Sequence, residues 1–345
     1  MTPRSNSNNK PNGESSRVAV VTGSSTGLGF ETSLMLAGNG YFTYATVRDL
    51  QKSKEIERIV QQENIPIRIV EMDVDNDNSV KTTIDKIISE RDRIHILVNN
   101  AGYGLFGALE DLPMEEIKRQ YETNVFGVIR VSQNVLPIMR SQRDGIIINI
   151  SSVSGLAGIP SQSVYVSTKF ALEGLSESLS FEVETYGIKI ILIEPGVINT
   201  GFVEDLVVPD KYNINKNRRA IQKAFNRDST YLSYYNNTIE KFLSFYYLAM
   251  SNAPHPKIVA YEIIQAIEKV SNEKEIGPFL RVPVGSDAKK YSKLKRELAD
   301  SEYHNLLKKD LLETGFKVSY EKPNGSSLRA DVSFIDSENM MMEDV

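Results

Sequence analysis

Between residues 18 and about 200 the chain repeats one pattern: a short β-branched run, a glycine or polar break, then an amphipathic stretch of helical length. That alternation marks parallel βαβ units. It predicts strands at Val18 to Thr22, Tyr41 to Val47, Ile67 to Met72, Ile94 to Val98, Gly145 to Ile150 and Ile188 to Glu194, with a seventh short one near Phe279 to Val282. Most of these runs are apolar on both faces. Such strands lie in a sheet covered by helices on both sides, so the expected fold class is α/β, a doubly wound parallel sheet.

The rhythm changes at residue 201. Residues 201 to 257 read as helices, with Tyr235, Ile239, Phe242 and Tyr246 at 4-3-4 spacing on one face and the aromatic run continuing through Tyr247. A stripe of that period suits a helix packed on the core or on a neighbouring subunit, and it equally suits a lid or apolar wall over a substrate. Residues 1 to 16 and about 318 to 345 lack either period, and the latter are acidic; both ends are expected to be disordered. At 345 residues the chain exceeds the roughly 100 to 200 of a typical domain, yet open α/β sheets reach about 250 as one unit. One domain over residues 17 to 317, with residues 201 to 257 as a helical insertion, is the expected organisation.

Composition narrows the chemistry. Hydrophobic residues make up 41% and charged residues 25%, which suffices for a sizeable core. There are no cysteines, which removes disulfides, zinc ribbons, iron–sulfur clusters and thiol nucleophiles together. Only His95, His255 and His304 offer imidazole, too far apart in sequence for a short metal-binding motif, so no metal is expected. A net charge of -5 gives no global pull toward nucleic acid or anionic lipid, and Lys289, Lys290, Lys293, Lys295 and Arg296 read as a solvated helix face. Residues 145 to 168 form the longest uncharged stretch, but their Ser, Gly, Gln, Pro and Asn content excludes a membrane span. The polar first 16 residues lack an apolar secretory core, so the expected location is cytoplasmic.

Directly after the first strand stands Thr22-Gly23-Ser24-Ser25-Thr26-Gly27-Leu28-Gly29, followed by the helical run Phe30 to Ala37. Glycines at such a junction let the backbone turn tightly and approach a pyrophosphate, while the helix N-terminus offers free N–H groups to the phosphates. A tight turn with no ligand would look the same. The residues also satisfy GxSxG, with Ser25 as a candidate acyl-transfer nucleophile, although such an elbow normally follows several strands and this one follows the first. After the second strand comes Val47-Arg48-Asp49. An acid about 20 residues beyond the glycines suits a ribose 2′-hydroxyl, whereas an arginine suits a 2′-phosphate. Asp49 fits the count, but Arg48 sits nearer the strand end and favours NADP(H) over NAD(H), unless it is an ordinary surface charge.

The second group of candidates follows the fifth strand. Ser152 precedes Tyr165 by 13 residues, and Tyr165 and Lys169 stand at i and i+4. Both side chains therefore lie on one helix face, about 6 Å apart along the axis. An ammonium beside a phenol lowers its pKa from about 10 toward the range of a general acid or base. Taken alone, Tyr-x-x-x-Lys is common, and a half-buried tyrosine beside a snorkelling lysine explains it equally well.

The ordered combination is more specific than its parts. Gly23-x3-Gly27-x-Gly29, Asp73-Val74, Asn99-Asn100-Ala101-Gly102, Asn124, Ser152, Tyr165-x3-Lys169 and Pro195-Gly196 together resemble the short-chain dehydrogenase/reductase family, a Rossmann-type fold. The segment Tyr44 to Leu50 and the run Phe170-Ala171-Leu172-Glu173-Gly174-Leu175 look most like its hydroxysteroid and retinol branch. The resemblance implies an oxidoreductase that transfers a hydride between NADP(H) and a carbonyl or secondary alcohol of a bulky or apolar substrate. It implies Tyr165 as general acid and base, Lys169 lowering its pKa and holding the nicotinamide ribose, and Ser152 binding the substrate oxygen. It further implies that Asn124 holds a water linking Lys169 to solvent. The glycine turn, with Ser25, Thr26 and Leu28, would cradle the pyrophosphate; Asp73 and Val74 would contact adenine; and Asn100, Ala101 and Gly102 would line the cleft. Pro195, Gly196, Val197 and Thr200 would flank the nicotinamide. A homodimer or homotetramer is expected. A regulatory protein that only binds the dinucleotide is the alternative from another class.

Overall fold

A computed structural model describes residues 17–200, 206–208, 234–273 and 276–313. Seven strands form one parallel sheet: β1 (Val18–Val21), β2 (Phe42–Val47), β3 (Ile67–Glu71), β4 (Ile96–Asn99), β5 (Gly145–Ile150), β6 (Ile188–Pro195) and β7 (Phe279–Val284). Their order across the sheet is β3-β2-β1-β4-β5-β6-β7. Strand order therefore reverses between β1 and β4, the switch point at whose carboxyl ends open α/β sheets place their ligand crevice.

Helices cover both faces, as the doubly apolar strands require. Alternate residues of the strands feed two separate cores. Val20, Leu97, Ile147 and Ile190 pack against α3 (Asp77–Arg91), α5 (Gly127–Gln142) and α6 (Ser163–Val183). Val21, Val98, Ile148 and Ile193 pack against α1 (Gly27–Gly38) and a later helix, Lys257–Asn272. The remaining helices are α2 (Lys54–Glu63), α4 (Met114–Tyr121), α7 (Asn236–Asn252), the Lys257–Asn272 helix as α8, α9 (Ser286–Glu297) and α10 (Asp300–Lys308). Among the described residues no helix is long and apolar enough to cross a membrane.

The strand boundaries move by one or two residues from the sequence reading. Ile94 is not in β4, because the Gln142 carboxamide takes its backbone instead, accepting from Ile94 N at 2.9 Å and donating to Ile94 O at 2.8 Å. Strand β7 runs two residues further, to Val284, where Pro195 of β6 still pairs with it. Tyr235 does not belong to the apolar stripe. It precedes α7, is 44% exposed and donates to Glu110 at 2.8 Å, while Ile239, Phe242 and Leu243 are buried. The expected tails at residues 1–16 and 318–345, and most of 201–235, lie outside the described residues.

One polar line crosses the core between α5 and α6. Asn99 Nδ2 donates to Ser132 and to Asn149 Oδ1, at 3.2 and 2.8 Å, and Asn149 Nδ2 donates to Ser176 at 2.8 Å. Both asparagines are at most 2% exposed, so each depends on the other for its partners. Asn149→Ala takes one buried partner each from Asn99, which keeps Ser132, and from Ser176, which keeps its bond to Leu172 O. It should lower unfolding stability by roughly 1 to 3 kcal/mol, since each of the two lost buried hydrogen bonds contributes about 0.5–1.5 kcal/mol; urea unfolding of the variant measures it.

Candidate active site

The crevice between the β1 and β4 ends is built by laced turns. Thr22 Oγ1 accepts from the backbone N–H groups of Asn100 and Ala101, both at 2.9 Å, and Asn100 Nδ2 returns bonds to Thr22 O and Gly23 O at 2.9 and 3.0 Å. The turn requires glycine at two kinds of position. Gly23 has φ +67°, where a side chain is strained. At Gly29 a Cβ would stand 2.3 Å from Gly23 O and 2.4 Å from Asn100 Nδ2. Gly29 is thus buried support for the turn and does not line the crevice, whereas Gly23, Ser25, Thr26, Gly27 and Leu28 do. Thr26 caps α1 without a side-chain bond, so the N–H groups opening that helix are left to a ligand.

At the end of β2, Arg48 is exposed and faces the same crevice. The neighbouring carboxylate is engaged, since Asp49 Oδ1 accepts from Gln51 N at 2.9 Å and caps a short turn. Asp73 and Val74 line the floor. Asn76 caps α3, and the Asp73 carboxylate accepts from Asp75 N at 3.1 Å. Ala101 and Gly102 lie on the opposite side. Pro195, Gly196, Val197 and Thr200 also line the crevice, with Thr200 set against Gly27 of the glycine turn. Their turn is fixed by Asp287, which leads into α9, accepts from Val197 N at 2.7 Å, and fills the space where a Gly196 Cβ would stand.

Ser152, Tyr165 and Lys169 meet in this crevice, where β5 ends and α6 begins. Lys169 is 8% exposed and its Nζ donates to Ile150 O at 2.7 Å. Tyr165 is equally buried, edge-on to Phe106 at 5.9 Å between ring centres, and hydrogen-bonds Ser152. Ser152 Oγ is itself oriented by Ser154 N at 3.1 Å. Burial pushes Tyr165 up to about 12, with the Ser152 bond pulling against it, and pushes Lys169 down to about 8. Lys169 Nζ stands 5.7 Å from the Tyr165 ring centre, so in this arrangement desolvation outweighs the lowering expected from the ammonium.

The chain matches the family model for short chain dehydrogenases over residues 17–210. It belongs to that family. It is 43% identical over 190 residues to a 3-ketodihydrosphingosine reductase of Bacteroides thetaiotaomicron, covering 55% of this chain and 66% of that protein. It is 36% identical over 302 residues to an uncharacterised oxidoreductase (YusZ) of Bacillus subtilis, covering 86% and 98%. With human retinol dehydrogenase 8 it shares 39% over 190 residues, 54% of this chain and 60% of that one. The crystal structure of a short-chain dehydrogenase from Streptomyces avermitilis, 24% identical, superposes with a TM-score of 0.67 over 85% of this chain and 98% of the other. The protein is accordingly an oxidoreductase of alcohol and carbonyl groups, similar to the hydroxysteroid and retinol branch.

Within this short-chain dehydrogenase, Asn124 sits in a π turn (Glu122–Phe126) between α4 and α5, a distortion frequent at functional sites. It is 1% exposed and stands behind the crevice. Its carboxamide clips Tyr103, accepting from N at 3.1 Å and donating to O at 3.0 Å, and donates to Thr168 at 3.2 Å. The structure thus shows it as the fastener between the β4 loop and α6. The Ser25 nucleophile reading fails for want of a base. His95 Nδ1 accepts from Val18 N at 3.0 Å at the opposite, amino end of the strands, and neither His255 nor His304 lines the crevice. No group of metal-ligating side chains occurs among the described residues.

Sequence reasoning missed Phe106, Ser154, Gln162 and Asp287. Phe106 follows the Asn-Ala-Gly turn closely enough to have been suspected. Ser154, which donates to Gln162 at 2.9 Å, and Asp287 act only through tertiary contact. Gly29→Ala should destabilise the fold by about 1 to 3 kcal/mol through overpacking of the turn. Gly38→Ala, where a Cβ meets nothing within 4 Å, should not; thermal denaturation of the pair decides.

Proposed function

We propose that the protein reduces a carbonyl, or oxidises the matching secondary alcohol, of an elongated apolar substrate with NADP(H) as the nicotinamide cofactor. The observation that carries this reading is convergence. Ser152, Tyr165 and Lys169 share one crevice of about 1320 Å³ with the glycine turn, with Arg48 and with an aromatic wall. The residues present suit a dinucleotide: the Gly23 and Gly29 turn leaves backbone room for a pyrophosphate at the α1 N-terminus, and Asp73 with Val74 offers a partly polar floor for a base.

The bound nicotinamide supplies or accepts the hydride. Ser152 binds the substrate oxygen where negative charge grows, and Tyr165 donates the proton in reduction or removes it in oxidation. Lys169, charged below its midpoint near 8, favours the phenolate that Tyr165 becomes after donating. Arg48 would pair with a 2′-phosphate, while Asp49, occupied by Gln51 N, is poorly placed to prefer a 2′-hydroxyl.

The aromatic wall supports an apolar substrate. Phe106, Phe242 and Tyr246 form one cluster with Tyr165; Phe106 lies 5.3 Å and 6.1 Å from the Tyr246 and Phe242 rings. Leu206 and Val208 join it through the Leu105–Val207 bridge. Helix α7 would therefore serve as a substrate wall more than as a plain core helix. The similar proteins whose names point to a sphingoid ketone and to retinol agree with a lipophilic class.

Tyr165→Phe should lower kcat by about 10²- to 10⁴-fold, the usual range for losing a general acid, while NADPH affinity changes little. Steady-state reduction of a long-chain ketone together with a nucleotide fluorescence titration reads both; unchanged turnover contradicts the reading. Arg48→Ala should weaken NADPH binding by roughly 10- to 100-fold, as for a lost charge-assisted hydrogen bond, and leave NADH binding alone. Equal loss for both nucleotides would refute a 2′-phosphate role.

A further inference from the structure

Behind Lys169 lies an ionic cluster with no direct part in hydride or proton transfer, in which Glu173 and Glu194 are buried while Arg281 and Glu177 reach the surface. Glu173 follows Lys169 by one turn of α6, at i+4, and its side chain is 7% exposed. Arg281 of β7 donates from Nε to Glu173 Oε2 at 3.1 Å and from Nη2 to Glu177 Oε2 at 2.8 Å. Glu194, the residue before Pro195, is 1% exposed; its Oε1 stands 3.5 Å from Arg281 Nε and has no hydrogen-bond partner among the described residues. The other side of Glu173 meets the catalytic loop. A Cβ on Gly155 would touch Ser151 Oγ at 2.6 Å and Glu173 Oε1 at 3.0 Å, so the absent side chain there makes room for the carboxylate beside Ser151.

We propose that Glu173 is a positioning residue that keeps the buried Lys169 in its charged form, with Arg281 holding the carboxylate in place. The inference rests on the reading that Lys169 serves Tyr165. A lone ammonium so deeply buried is driven toward neutrality, and a carboxylate one helical turn away opposes this. The groups facing the pair are Tyr165, Glu177, Glu194, Arg281 and, beyond Glu194, Arg296. Among them Glu173 is the one whose charge raises Lys169, and burial is what lowers it. Glu194 is pushed up to about 7 by burial and by repulsion from Glu173, and burial raises Glu173 too, with the Ser151 and Arg281 hydrogen bonds and the Arg281 and Lys169 charges pulling it back toward the ionised form.

The sign follows directly. Lys169 is charged below its midpoint, so removing the Glu173 charge moves that midpoint to lower pH and leaves the lysine neutral at pH values where it is now charged.

The test is a ¹³Cε-lysine NMR titration of the full-length protein, with the Lys169 signal identified by its loss in Lys169→Arg. The parent should titrate near 8, and Glu173→Gln should titrate about 1 pH unit lower or more, the usual effect of losing a close opposite charge. Glu173→Met, similar in reach and apolar, should shift the same way and serves if the glutamine variant does not fold. Glu173→Asp, which keeps the charge, should stay nearer the parent. The alkaline limb of kcat/KM for carbonyl reduction should move with the NMR midpoint. A Lys169 midpoint that is the same in parent and folded Gln or Met variants overturns the proposal even if the enzyme is active. A shifted midpoint in a protein that reduces no carbonyl upholds it and overturns the functional reading instead.

Discussion

The site depends on one buried contact, the Lys169 ammonium held by the Ile150 carbonyl at 2.7 Å. That bond ties helix α6 to the carboxyl end of β5, and so fixes Tyr165 relative to Ser152 across two elements separated in sequence. A neutral side chain would fill the space without the penalty of burying a charge. The chain retains the charge and surrounds it with compensating groups, which is the expected arrangement where an ion does chemistry rather than support. Burial then gives the two groups opposite tendencies: the phenol holds its proton more firmly and the ammonium less so. Ligand binding and a developing oxyanion are what would bring them into a working range.

The molecule divides its labour along the chain. Residues 17 to about 200 build the sheet, the glycine turn and the candidate catalytic groups, close to the span that the family model covers. Residues after that supply most of the wall over Tyr165, through α7, and the clamp on the Pro195–Val197 turn, through Asp287. The π turn at Lys309–Glu313 adds Leu312 to the same wall. Most of the apolar wall and the glycine turn thus sit on separate parts of one frame.

Much of this was legible in the sequence, for physical reasons. Fully buried parallel strands are nearly all apolar, so β5 and β6 announce themselves. Backbone-driven sites need glycine and small polar residues at fixed spacing, which made the turn at Gly23 to Gly29 readable. What escaped was whatever depends on distance in space. The Asp287 clamp joins α9 to the turn after β6, the Arg281–Glu173–Glu194 cluster joins α6, β6 and β7, and no local pattern links them. The Asn124 motif stands in the sequence, but the clip on Tyr103 and Thr168 emerges only when three segments meet. Tyr235 was misassigned because spacing alone does not show where a helix begins.

The central claim is that hydride reaches the substrate carbon in the crevice lined by Ser152, Tyr165 and Lys169. Isotope transfer addresses it most directly: NADPH deuterated at the transferable C4 position is incubated with the protein and a long-chain ketone, and the alcohol is analysed by mass spectrometry. The account predicts one deuterium on the carbinol carbon, and labelled alcohol formed at least about 100-fold more slowly by the Tyr165→Phe protein. Alcohol formed without deuterium, or labelled alcohol formed equally well by both proteins, would contradict it.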